Sequence, residues 1–347
     1  MSTALVVRAP LAWLGPDRLV RDAAVIAERG VVTFAGPAAE MGDHAAGEEL
    51  VVDGFLMPGV ADRHVHIGLA DPAAVLNRGV TAVRDCGWPP DVIFALADAS
   101  ELPTYTGPLI RAVGPMLTAP GGYPSREGWA PPGTALEVHD PEEAERAVRM
   151  LAGRGAAAIK VSLNEIAGPT VSDAELAAIC TAATEEQIPV IAHVEGKGQA
   201  ERALGAGVRE FAHTPWTEPL SDSLIEALAK HTRVVSTLDI QSFGGDTPEV
   251  RIALDNLRRF HAAGGLVLYG TDLGNGPIPP GIDPREAFLL REAGLSTEAI
   301  LQAMARGPLR TNAPADLIAL ARDPFDELDA LDDLTLVVRG GRVVVTG

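Results

Sequence analysis

The chain has 347 residues, 47% of them hydrophobic and 22% charged, a balance suited to one large α/β core with room for a smaller companion. Lys plus Arg number 28 against 47 Asp plus Glu, and a formal net charge of −19 repels phosphate backbones, which disfavours nucleic acid as a partner. No apolar run reaches about 18 residues and no basic segment leads an apolar one at the N-terminus, so neither a membrane span nor a secretory signal is expected, and two cysteines, Cys86 and Cys180, fit a reducing cytoplasm.

The first ~55 residues read as short β-type runs, "ALVVRAPLAWL", "AAVIAERGVVTFAG" and "ELVVDGFLMPG", broken by Gly, Pro and Asp. Short apolar strands then alternate with Ala-, Glu- and Arg-rich helical stretches such as "DPEEAERAVRMLAGRG" and "SDAELAAICTAATEEQ". The strand candidates are "GVADRHVHI", "GVTAVRDCG", "PLIRAVGPML", "AAAIKVSLN", "IPVIAHVE", "REFAHTP", "TRVVSTLDI" and "GLVLYGTDLG". Eight such units in about 250 residues are the arithmetic of a (β/α)8 TIM-like barrel, and nearly continuous apolar strands argue for a parallel sheet covered by helices. A doubly wound sheet would want a Gly-rich phosphate loop after its first strand, and "HVHIGLADP" is not one. The chain ends as it began, with "ADLIALA" and then "LTLVVRGGRVVVTG", two strands around a Gly340–Gly341 turn. Because the termini of a domain often lie close together, residues 1–57 and 309–347 are expected to form one small discontinuous β-sandwich domain, with 58–308 as the barrel. Two unrelated β appendages are the other reading.

Side chains i and i+2 of a strand share a face, so His64 and His66 in "DRHVHIG" converge while Val65 points away. Alone, this pair fits structural histidines as well as a metal site. A (β/α)8 barrel, however, gathers chemistry at the C-terminal ends of its strands. There Lys160 lies in the fourth strand, His193 ends the fifth, His213 the sixth and Asp272 the eighth. Each has an ordinary alternative: Asp272 could cap a helix, and Lys160 could reach solvent. Six such groups at one mouth make a site the better account. His44, His139, His231 and His261 sit in loop or helix contexts and are expected at the surface.

With "PGVADRHVHIG", Lys160, the two later histidines and "GTD" in place, the chain resembles the amidohydrolase superfamily over essentially its whole length. "GVTAVRD" after the first strand is similar to the imidazolonepropionase and Xaa-Pro dipeptidase-like subgroup. The resemblance implies two divalent ions, Zn2+ by preference, one on His64, His66 and Asp272 and one on His193 and His213. A carboxylated Lys160 (N6-carboxylysine) would bridge them, and an unmodified lysine with a single ion is the alternative. Imidazole and carboxylate are apt ligands for such ions, and an ammonium beside two dications would be repelled. The implied reaction is hydrolysis of a C–N bond in an amide, dipeptide-like compound or cyclic amide, by a metal-bound hydroxide, with Asp272 as general base and then acid.

Substrate selection is fainter. The loop "GPMLTAPGGYPSREGW" resembles the Gly-Gly loop bordering the substrate in that subgroup, with Tyr123 where a histidine commonly follows. Tyr123, Arg126 and Trp129 are therefore expected at the substrate, with Gln241 and Asn275 as polar candidates from the loops after strands seven and eight. The segment "AMARGPLRTNAPADLIAL" is shorter than in relatives, which points to a thin β-domain junction. An ester or lactone hydrolase on the same site is a rival reading. A non-catalytic metal-binding protein is another, against which the intact Asp272 argues. The expected partner is a small molecule, with homo-oligomerisation left open.

Overall fold

The structure, a computed structural model, describes residues 4–42 and 47–346, so the expectation for His44 lies outside the described residues. The chain opens with β1 (Ala4–Trp13), β2 (Leu19–Glu28), β3 (Val31–Pro37), β4 (Gly47–Val51) and β5 (Phe55–Pro58). β1, β2 and β3 pair antiparallel in succession, while β4 and β5 lie parallel to β1 on its other side. The Ala, Val and Leu run of β1 is buried almost throughout, whereas the first half of β2, with Arg21 and Asp22, faces solvent.

Ten parallel strands follow: β6 (Val60–Val65), β7 (Val80–Asp85), β8 (Leu109–Ala112), β9 (Met116–Thr118), β10 (Ala135–Glu137), β11 (Ile159–Asn164), β12 (Val190–Glu195), β13 (Glu210–Phe211), β14 (Arg233–Val235) and β15 (Leu266–Leu268). They make a three-stranded sheet, β6-β7-β8, and a seven-stranded one, β10-β9-β11-β12-β13-β14-β15. Backbone bonds join the two at both edges of the three-stranded sheet. Ala157 N donates to Ala112 O at 2.8 Å on one side, and on the other Arg63 N donates to Tyr269 O at 3.0 Å and Asp272 N to His64 O at 2.8 Å. Helices intervene between most strands, and their starts carry the chemistry that ends a loop. Asp140 accepts from Glu143 N ahead of helix 141–153, and Ser172 closes a capping box with Glu175 ahead of helix 173–185.

The run "PLIRAVGPML" does not form one strand as expected. Gly114, at φ +78°, and Pro115, which has no N–H to donate, split it into β8 and β9, and β9 crosses to the other sheet with β10 as its neighbour. Nor do His213 and Asp272 lie within strands, because β13 and β15 stop short of them and both residues occupy the turns that follow.

The chain closes with β16 (Leu317–Leu320), β17 (Leu334–Arg339) and β18 (Arg342–Thr346). β16 pairs antiparallel with β5, Ile318 opposite Met57, so the two ends of the chain share one sheet in the order β18-β17-β16-β5-β1-β2-β3. Gly340 and Gly341 both take positive φ, +56° and +73°, as a two-residue hairpin turn requires. Gly59 N donates to Asp316 O at 2.9 Å and Arg306 N to Gly59 O at 2.8 Å, with an Arg306–Asp316 ion pair, where this sheet meets the parallel ones.

Behind β14 and the turn that follows lies a buried group of acids. Glu286 accepts from Leu238 N and Asp239 N, both at 2.7 Å, and Asp283 caps helix 284–292. Burial pushes Glu286 up to about 8 and Asp283 up to about 7. An acid with a raised folded pKa contributes its stability in full below its ordinary value of 4.5 and loses it as pH climbs through about 8. Glu286→Gln keeps an oxygen for both backbone donors and cannot ionise. Between pH ~5 and ~8 its unfolding free energy, measured in urea, should fall less than that of the parent chain, by up to about 4 kcal/mol. Parallel pH profiles for the two proteins would refute the assignment.

Candidate metal centre

β6 delivers Asp62 and His64 to the interior, and His66 follows directly after its end. Asp62 fixes the local register: its Oδ1 accepts from His64 N at 3.0 Å and Thr271 N at 3.2 Å, and its Oδ2 from the Thr271 hydroxyl at 2.6 Å. Beside it, Gly270 has no room for a side chain, since a Cβ there would sit 2.3 Å from Val235 Cγ1 and 3.1 Å from His64 N. Asp272 then adopts φ +62°, a conformation that costs a non-glycine residue about 1 kcal/mol or more and that turns its carboxylate to His64 and His66.

The histidines are held by their outer nitrogens. His64 Nδ1 donates to Ala212 O at 2.7 Å and His66 Nδ1 to Gly87 O at 3.1 Å. A carbonyl can only accept, so each neutral ring presents a bare Nε2 inward. These atoms lie 3.5 and 3.3 Å from Asp272 Oδ1, and one ligand atom from each of the three residues falls within 4.8 Å of the others. On the far side, His213 Nδ1 meets the Thr237 hydroxyl at 2.9 Å and His213 Nε2 faces His193 Nδ1 at 3.0 Å. Lys160 Nζ stands 3.2 Å from His64 Nε2. The six side chains that the sequence singles out are thus brought together, none more than 7% exposed.

Burial opposes charge on His64, His213 and Lys160, while the surrounding bases favour it on Asp272. Burial drives His64 and His213 well below the ordinary histidine range, and neighbouring Lys160 and histidines push the same way. Burial likewise lowers Lys160. Burial alone would raise the Asp272 carboxyl, but His66, His213 and Lys160 outweigh it and hold it at about 2. Imidazole nitrogens and a carboxylate converge on a small buried volume. That donor set fits a divalent cation.

Two aromatic rings roof the cluster from the 119–133 loop. Tyr123 stacks on His193 with ring centroids 4.8 Å apart, and Trp129 lies 4.6 Å from His66. Burial and the nearby carboxylates of Asp272 and Glu195 push the Tyr123 phenol well above its usual range. Asn275 Nδ2 donates to Asp272 Oδ1 at 3.0 Å. Arg126, by contrast, is exposed and lies over Gly121, and Gln241 is buried in the short helix Asp239–Ser242. His139 and His231 are exposed and His261 half-buried. Sequence reading passed over Asn164 and Glu195, which flank His193 at the ends of β11 and β12, and Thr237 behind His213. The signal for the first two was available: Asn164 shares a strand face with Lys160, and Glu195 shares one with His193.

Residues 55–344 match the Amidohydrolase family. An uncharacterised protein of Mycobacterium tuberculosis is 28% identical over 341 residues, covering 86% of this chain and 87% of that protein. Ochratoxinase of Aspergillus niger is 25% identical over 416 residues, covering 97% of this chain and 86% of that protein. Its crystal structure superposes with a TM-score of 0.83 at 22% identity, over 99% of this chain and 96% of that one. The crystal structure of a Xaa-Pro dipeptidase with methionine bound in its active site gives 0.82 at 20% identity, over 98% and 99%. At these identities the two structures share the mixed α/β fold with its parallel sheets.

Thr237 holds the outer nitrogen of a buried ring, and Thr237→Val removes that partner at nearly constant shape. An unsatisfied buried nitrogen costs about 1–3 kcal/mol, a loss that urea unfolding in the presence of a chelator should register. Unchanged stability would show that His213 is positioned without Thr237.

Proposed function

We propose, for a chain that belongs to the amidohydrolase family of hydrolytic enzymes, that it cleaves a C–N bond of a small amide or dipeptide-like molecule at the His64–His66–Asp272 cluster. The observation that carries the reading is the inward convergence of bare imidazole nitrogens and an ionised carboxylate, each imidazole tied outward by a bond of its own. β6–β8 and β11–β15, joined by backbone bonds from β8 to the entry of β11 and from β6 to the segment after β15, are read as the eight strands of one closed (β/α)8 barrel, β9 and β10 being additional. The terminal sheet is read as a small β-domain over 1–57 and 309–347 beside a catalytic unit over 58–308.

His64, His66 and Asp272 would hold one divalent ion, and His193 and His213 a second, with Zn2+ the preferred species for such ligands. Lys160 suits the bridging position because burial favours its neutral amine, the form that adds CO2. The neutral amine and CO2 give a carbamate anion and a released proton, and the anion offers two ligand oxygens in place of one nitrogen. When bound, such ions acidify water and polarise a carbonyl.

The chain's own residues supply the rest. Asp272, held at about 2, is ionised throughout the neutral range and can take a proton from the attacking water, then return it to the leaving nitrogen. Asn275 steadies the same carboxylate. Tyr123 stays protonated at any working pH and can donate a hydrogen bond to a substrate oxygen, while Trp129 gives an apolar wall. The structural neighbour named as a Xaa-Pro dipeptidase supports a substrate of that size.

Asp272→Asn keeps the shape and removes the proton acceptor, so kcat should fall by at least about 10^2-fold. Purified protein should carry two divalent ions per chain and turn over members of a panel of N-acyl amino acids, Xaa-Pro dipeptides and cyclic amides. Wild-type turnover by the variant would overturn the role of Asp272. Hydrolysis of esters or lactones with none of any amide would overturn the substrate class.

A further inference from the structure

The four histidines of the centre are not held alike. His64 and His66 lean on backbone carbonyls and His213 on a hydroxyl, all of them neutral partners. His193 alone leans on a carboxylate: its Nε2 lies 2.8 Å from Glu195 Oε1. The two residues sit at i and i+2 on β12 and so share its inner face. Glu195 is fixed in turn, because its Oε2 accepts from Asn164 Nδ2 at 2.6 Å. Asn164 cannot turn its amide over. Its Oδ1 already accepts from Ile166 N at 3.1 Å and Ala167 N at 2.9 Å, which leaves Nδ2 as the only group to offer Glu195. Asn164 and Glu195 are also the last register pair of β11 and β12, so the backbone ladder itself sets them side by side.

We infer that Glu195, oriented by Asn164, is a positioning residue that sets the tautomer of His193 and strengthens its Nδ1 as a ligand for the second ion. This rests on the two-ion reading of the site. The carboxylate accepts a hydrogen bond from Nε2–H, so the Nδ1 lone pair is the one that faces His213 Nε2 across 3.0 Å. A charged partner makes the imidazole a stronger electron donor than a carbonyl or hydroxyl would, and removal of such a partner typically weakens metal binding by about 10–100-fold. A direct contact with substrate suits Glu195 less well, since both of its oxygens are already engaged and its side chain is only 14% exposed. The centre is therefore asymmetric: one ion site is built on neutral supports, the other on an anionic one.

Glu195→Gln tests this, because glutamine keeps the shape and an oxygen to accept from His193 while losing the charge. Both proteins are loaded with Zn2+ and dialysed against graded chelator, and metal per chain is counted at each step. The parent should release its two ions in two steps. The variant should release one of them at about 10–100-fold lower chelator strength and the other unchanged. The new amide nitrogen faces Asn164 Nδ2, so urea unfolding of the metal-free variant should shift whichever role Glu195 has, and the release steps decide: a merely structural Glu195 would leave both of them in place. Identical release by parent and variant overturns the role of Glu195 and leaves the two-ion reading intact. A parent that never holds more than one ion overturns the two-ion reading itself and this inference with it.

Discussion

The carboxylate of Asp62 takes three hydrogen bonds at the seam between β6 and the segment after β15: from His64 N, from Thr271 N and from the Thr271 hydroxyl. Burial raises this acid to about 7 even against those bonds, which measures how far from water the seam lies. The arrangement is costly to build, and the rest of the site depends on it. By fixing His64 N and Thr271 N to one carboxylate, it sets the register in which Asp272 N meets His64 O and His66 N meets Leu273 O at 2.7 Å. A slip of one residue would turn His64 and His66 to the other face and leave Asp272 facing a strand that offers it nothing. His64 and His66 from one end of the chain's parallel region and Asp272 from the other are thus brought within reach through backbone pairing.

The interior is polar on the far side too, with a different solution. Glu210, fully buried at the start of β13, is paired with Arg84 from β7 and Arg233 from β14, and Arg84 Nε donates to Arg63 O at 3.0 Å. Arg63 spends its own guanidinium on the carbonyls of Ala61, Ala303, Met304 and Ala305. Here every charge has a partner of opposite sign or a ring of carbonyls, as burial demands. The histidine cluster has instead a surplus of electron-rich atoms aimed at one another. One end of the interior is closed by its own ion pairs, and the other asks for a cation from outside.

Much of this was legible in the chain before any coordinates. Apolar strands alternating with Ala-, Glu- and Arg-rich helical stretches announced a parallel α/β core, and "RGGRVV" announced the closing hairpin. Histidines are rare enough here that His64, His66, His193 and His213 stood out against their apolar surroundings, and Lys160 and Asp272 stood out as charges inside strand-like runs. Asn164, Glu195 and Thr237 did not stand out, because polar residues just past a strand are ordinary in loops and turns. What distinguishes them is a direction, inward to an imidazole, that only three-dimensional pairing fixes. The split of "PLIRAVGPML" was missed for a related reason: Gly114 and Pro115 were visible, but an apolar run on both sides of them concealed the change of sheet.

The loop over residues 119–133 shows where sequence reading stops being informative. Its resemblance to a substrate-bordering Gly-Gly loop singled out Tyr123, Arg126 and Trp129 alike, yet its path is tightly set. A side chain at Gly122 would meet Pro169 O and Thr118 Oγ1, each at 2.3 Å, so the chain passes through a gap that admits no Cβ. That passage is what lays Tyr123 on His193 and sends Arg126 outward over Gly121. Arginine and tyrosine in one loop read alike as substrate contacts from composition alone, and backbone clearance separates them. The loop therefore gives the cluster aromatic and hydrogen-bonding surroundings, with the carboxylate of Glu195 near the Tyr123 phenol and Arg126 turned away from both.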